Sequence, residues 1–248
     1  MITLALAEFL FALILLIGAY LFSHTINGSL QAFFIDKLGD STAKDAGYQS
    51  LNPLYHIDTF GFLALIFLGI GWLQTVPIDP YAFTGAWRYT RLLFAFAAEA
   101  CISLVLATLA LFTAVFMYGY PTTIKLVYQV FHYYSKFFLL FLSSSGQLNI
   151  ASAFTEHQST LSIAFAFFLV SVVYLNVLIS TISSIFNGFR YVLVIGFERG
   201  YSYMEYADYL AILGPFLVVY VFGDLLLYYL LNLTQWGALA IALLFGIY

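Results

Sequence analysis

From Thr160 to Phe186 the chain contains no charged residue. At 1.5 Å per residue, a run of that length crosses the ~30 Å hydrocarbon core of a bilayer as one helix. Comparable apolar runs occupy 2–23, 59–76, 91–117, 126–142 and 209–231, and a shorter one covers 235–248. This pattern predicts an all-α integral membrane protein. Its core would be a polytopic bundle of about six transmembrane helices, with 235–248 a candidate seventh, shorter segment. No soluble domain interrupts the series, so residues 1–248 read as one membrane domain. Composition agrees: 63% of residues are hydrophobic and 8% charged, with mean hydropathy +0.97, whereas soluble domains carry about 25% charged residues.

Several function classes fall away at once. Eight Lys and Arg against twelve Asp and Glu leave a net charge of −4, the wrong sign for a phosphate-binding surface, so no nucleic-acid partner is expected. The lone cysteine, Cys101, excludes an intrachain disulfide and a cysteine-cluster metal site. The first apolar run has no Lys or Arg before it, unlike a secretory signal, and reads as a retained transmembrane helix. With six spans, Lys37, Lys44, Lys125, Arg190 and Arg199 fall on one side. The positive-inside rule makes that side cytoplasmic and puts the N-terminus outside. Tyr118, Tyr120, Tyr201, Tyr203, Tyr206 and Tyr209 lie near segment ends, as interfacial anchors do. Two matches to the glycan acceptor pattern, at Asn27 and Asn232, lie against apolar runs and are read as chance.

Three acids fall within the apolar runs: Glu8, Glu99 and Asp224. A charge at the bilayer centre costs about 2.5–3.5 kcal/mol on insertion scales, so such residues face protein or water. Glu8 and Glu99 are near enough to segment ends to reach the interface. Asp224 is the deepest and, with Glu99, a candidate intramembrane acid.

The polar stretch after the first run carries the most specific pattern. It reads Leu38-Gly39-Asp40-Ser41-Thr42-Ala43-Lys44, then Gly47, then Leu51-Asn52-Pro53-Leu54-Tyr55-His56-Ile57-Asp58 and Gly61. A second stretch follows, Gly71-Trp72-Leu73-Gln74-Thr75-Val76-Pro77-Ile78-Asp79-Pro80, and a third runs from Tyr201 to Leu213. In this order they resemble the compact bacterial branch of intramembrane zinc metalloproteases, the site-2 protease kind. The resemblance implies a site-2 protease-like helical core in a bacterial cytoplasmic membrane. It marks Gly39, Asp40, Thr42, Asn52, Pro53, His56, Asp58, Pro77 and Pro80 as family-like loop positions.

That family cuts transmembrane helices with an HExxH helix and a distant LDG aspartate. Its histidines at i and i+4 bind zinc, and its glutamate activates the bound water. The family spacing places HExxH on Asn27 to Gln31. The two histidine positions then hold Asn27 and Gln31, and the glutamate position holds Gly28. The LDG position aligns with Phe186-Asn187-Gly188, so the ligand aspartate is Asn187. The family's GPxxN region corresponds to residues 96–102 and has also drifted. Neutral amides are poor zinc ligands beside imidazole and carboxylate, and glycine has no side chain to move a proton.

No cofactor is therefore expected, with zinc required only by the alternative below. His24, His56, His132 and His157 are never four apart from one another. His56 and Asp58 suit loop-fixing hydrogen bonds better than ligation. Asn27 and Gln31 share a helix face, and Asn187 is expected to join them in an amide cluster. The resulting reading is a catalytically inactive pseudoprotease whose partners are the lipid bilayer and transmembrane helices of other proteins. One alternative is a divergent, active zinc metalloprotease. Another is a small transporter or channel component that uses Glu99 or Asp224.

Overall fold

The computed structural model describes residues 2–135 and 159–198, together with 228–229, 232–240 and 243. Helix α1 spans Ile2–Leu38, the short α2 spans Thr42–Asp45, and a 3-10 turn covers Pro53–Tyr55. Helix α3 follows at Thr59–Leu68, α4 at Arg88–Tyr118, α5 at Tyr120–Ser135 and α6 at Thr160–Glu198. Residues 232–240 are also helical. The described residues contain helices and one isolated antiparallel bridge, between Ile57 and Leu73.

Among the described residues three helices are long and apolar enough to cross a membrane: Phe9–Leu38, Arg88–Tyr118 and Thr160–Gly196. They contain the expected spans 91–117 and 160–186. The first helix runs beyond the expected span 2–23. It continues through Asn27 and Gln31 to Leu38, so the polar positions at its end are helical and inside the bundle. The expected span 59–76 is a correction of another kind. Its helix stops at Leu68, about 15 Å long and half a bilayer core. Asp58 starts it by accepting a hydrogen bond from the Gly61 N–H at 2.6 Å, and Gly69 ends it in the left-handed region at φ 71°. The expected span 126–142 begins on α5 and continues beyond the described residues, and 209–231 lies almost wholly outside them. So does Asp224, and the Glu8 side chain is likewise not among those described.

Helices α4 and α6 form the largest helix–helix interface, and α1 packs against both. The main core joins Leu16, Ala19 and Tyr20 of α1, Ala107 and Leu111 of α4, Val127 and Tyr134 of α5, and Val173 and Tyr174 of α6. Alanines at the crossings let the backbones approach, which favours helix packing in lipid. A second cluster, at the end of α1, joins Ile35, Ala43, Val76, Phe83, Leu92 and Phe96. It fastens the 40–87 connection onto α1 and α4. Gly119, at φ 77°, separates α4 from α5, and Pro121 sits in the first turn of α5, where its missing N–H costs nothing.

Candidate functional site

The second half of α1 concentrates polar side chains inside the bundle. Ser23, His24, Asn27, Ser29 and Gln31 are all buried. Helical spacing divides them between two faces. Ser23 and Asn27 face α6, where Asn176 bridges them. Asn27 Nδ2 donates to Asn176 Oδ1 at 2.8 Å, and Asn176 Nδ2 donates to Ser23 Oγ at 2.8 Å and to the Val172 carbonyl at 2.9 Å. His24 and Gly28 face the 50–76 connection. The His24 ring lies 3.7 Å from the Tyr20 ring between centroids, and the Tyr20 hydroxyl donates to the Trp72 carbonyl at 3.0 Å. Gly28 abuts the fully buried imidazole of His56.

The connection itself is held by short polar turns. Asp40 is fully buried and accepts two backbone N–H groups, from Thr42 at 2.9 Å and from Asp79 at 2.8 Å. One carboxylate thus ties the turn after α1 to the Val76–Pro80 stretch. Asn52 caps the Pro53–Tyr55 turn by accepting from the Leu54 N–H at 3.1 Å, and Pro53 supplies the fixed φ. Gln74 N–H donates to the His56 carbonyl at 3.1 Å. Gly61 lies against the Trp72 backbone, where a Cβ would be 3.1 Å from the Trp72 nitrogen. Arg91 of α4 donates to the Leu38 carbonyl at 3.3 Å and to the Thr84 carbonyl.

Asn187 does not join Asn27 and Gln31. Its Nδ2 donates to Glu99 Oε2 on α4 at 2.9 Å. Asn176 and Asn187 are three helical turns apart, about 16 Å along α6, so a residue facing Glu99 cannot also face Asn27. Arg190, one turn beyond, attracts the Glu99 charge and lays its guanidinium over the Phe96 ring, 5.5 Å from the centroid. A cavity of about 300 Å³ opens beside this group, lined by Phe96, Ala97, Ala100, Cys101, Asn187 and Gly188 among others.

The donor set around Gly28 does not fit a catalytic zinc, which takes three protein ligands of His, Asp, Glu or Cys type. Asn27 gives its amide N–H to Asn176. Its Oδ1, His56 Nδ1 and both ring nitrogens of His24 are buried without hydrogen-bond partners, but two imidazoles and an amide still lack a third ligand of His, Asp, Glu or Cys type. Among the described residues no group of three or more His, Cys, Asp or Glu could hold a metal ion. His132 is exposed on α5, and His157 lies outside the described residues.

Sequence reasoning missed Asn176, Ser23, Ser29 and Ser50. The available signal was Asn176 itself, an amide in the middle of an uncharged apolar run. Such a residue in a membrane helix bonds to a neighbouring helix.

Three long apolar helices around a buried polar seam define an α-helical membrane protein. No family model matches the chain, and no solved structure matches it. Over 98 residues it is 33% identical to a protein of Bacillus subtilis (strain 168) named "Putative zinc metalloprotease YwhC". That match covers 40% of this chain and 44% of the relative, so the chain spans less than half the relative's length.

Proposed function

We propose that this chain is a site-2 protease-like multi-pass membrane protein without peptidase chemistry, which acts by binding membrane-embedded segments of partner proteins. One observation carries the reading. The α1 positions that correspond to ligand, base and ligand hold Asn27, Gly28 and Gln31, and the Asn27 amide is committed to Asn176. The aligned aspartate position, Asn187, donates instead to Glu99 of α4, away from Asn27. What resembles the family is the frame: the Asp40 turn, the Asn52 and Asp58 caps and the Val76–Pro80 stretch. A bacterial cytoplasmic membrane suits the relative's source.

The named activity of the Bacillus subtilis relative favours a second reading, a divergent active zinc metalloprotease with a different ligand set. Elemental mass spectrometry of detergent-purified protein separates the two. We expect zinc far below one equivalent per chain, even after incubation with excess zinc and removal of the unbound metal. About one tightly held zinc, with cleavage of a transmembrane substrate that a chelator stops, would overturn the first reading.

A further inference from the structure

Gly28 sits in the middle of a long helix, where glycine is ordinarily inferior to alanine. A Cβ built on it would lie 2.9 Å from His56 Cε1 and 3.0 Å from Cγ, and would overlap Nδ1. Real Cβ atoms do not make such contacts, so the helix or the ring would have to move. The ring is poorly placed to yield. It is fully buried, and its Nε2 lies 2.8 Å from the Ser50 carbonyl oxygen and 3.2 Å from Ser29 Oγ. Ser29 Oγ also donates to the same carbonyl at 2.6 Å, and the Tyr48 ring meets the imidazole edge-on at 6.0 Å. The backbone of His56 is held too: its N–H donates to the Pro53 carbonyl at 3.0 Å and its carbonyl accepts from Gln74 at 3.1 Å. A single residue therefore joins α1, the 50–58 loop and the extended stretch at 72–76.

We propose that Gly28 is a socket and His56 a clamp, and that their fit fastens the 50–58 loop to α1. On this view position 28 is glycine because the space beside the helix belongs to an imidazole delivered by the loop. His56 is a positioning residue here. The proposal goes beyond the functional reading above and does not depend on it.

Thermal unfolding of the full chain in one detergent, for wild type, Gly28→Ala, His56→Ala and the double variant, tests the fit. Gly28→Ala should lower the midpoint by on the order of 5 °C, as overpacking does. In the His56→Ala background the same change should leave the midpoint unchanged or raise it, because the methyl group enters vacated space and the ordinary helix preference returns. Hydrogen exchange of the 50–58 amides should be on the order of tenfold faster in each single variant than in wild type. A higher midpoint for Gly28→Ala with His56 present, or two shifts that simply add, would overturn the clamp. If Gly28→Ala yields no folded protein, recovery on adding His56→Ala supports the proposal, and failure to recover overturns it. Zinc content of the same wild-type preparation tests the functional reading separately. One equivalent of zinc overturns that reading and leaves the clamp to be decided by the sign of the Gly28→Ala shift.

Discussion

Two of the polar groups inside this bundle are built on different chemistry. Around Asn176, three neutral side chains from two helices exchange hydrogen bonds and are wholly buried. Around Glu99, a carboxyl group and an amide are hydrogen-bonded at the α4–α6 interface beside an open cavity, with the Arg190 guanidinium over the nearby Phe96 ring. A neutral amide can be sealed inside because its desolvation is offset by one or two hydrogen bonds. A carboxylate needs a counter-charge or access to a more polar region. The same helix, α6, serves both groups three turns apart. The interior holds the neutral group through hydrogen bonds between helices, and holds the Glu99 carboxyl where an amide donor and a cavity are at hand.

This contrast can be broken by experiment. The largest effect is expected from Asn176→Leu, which strands the Asn27 amide N–H in a buried site and removes a donor from Ser23. We expect a loss of about 2–3 kcal/mol, read as a drop of roughly 5–10 °C in the unfolding midpoint in detergent. The double variant with Asn27→Leu should recover part of it, since both polar partners are then gone. A fall below about 0.5 kcal/mol for Asn176→Leu alone would remove the distinction between the two groups.

Next in size is Glu99→Leu, which leaves the Asn187 amide and Arg190 without the carboxylate. It should cost about 1.5–2 kcal/mol, while Glu99→Gln, which keeps an acceptor for Asn187, should cost less than half of that. Equal losses for Leu and Gln would show that charge, rather than the hydrogen bond, holds this group together. Asp58→Ala lies outside both groups and removes only the α3 cap. A loss of about 1 kcal/mol is expected, with faster amide exchange confined to residues 59–63. Cys101→Ser, on the exposed side of the cavity, should fall within about 0.5 kcal/mol of wild type. A larger drop would show that the cavity wall is packed against something and does not stand open.

The long spans were legible because hydropathy is a local property. The uncharged run from Thr160 to Phe186 and the run 91–117 lie within helices at the expected places. The run 59–76 was misread for the same reason. Hydropathy does not register that Gly69 turns left-handed and that the chain then runs extended past Gly71. The first apolar run ends at residue 23 because hydropathy falls there, yet Ser23, His24, Asn27, Ser29 and Gln31 are buried inside the bundle. The amide cluster was half legible. Helical spacing put Asn27 and Gln31 on one face, but the partner of Asn27 is Asn176, 149 residues away, not Asn187.

By itself the sequence determined the solvent this protein requires, the helical character of its longest runs and the types of side chain available on each face. Those follow from apolar area and helical period, which need only neighbouring residues. The tertiary structure alone decided which polar groups meet. That choice depends on how far α1 and α6 slide past one another before their side chains interlock. A slide of one turn, about 5.4 Å, would exchange every partner without altering the hydropathy of a single segment. The same applies to Gly28 and His56, whose contact arises only when the 50–58 loop folds back onto α1.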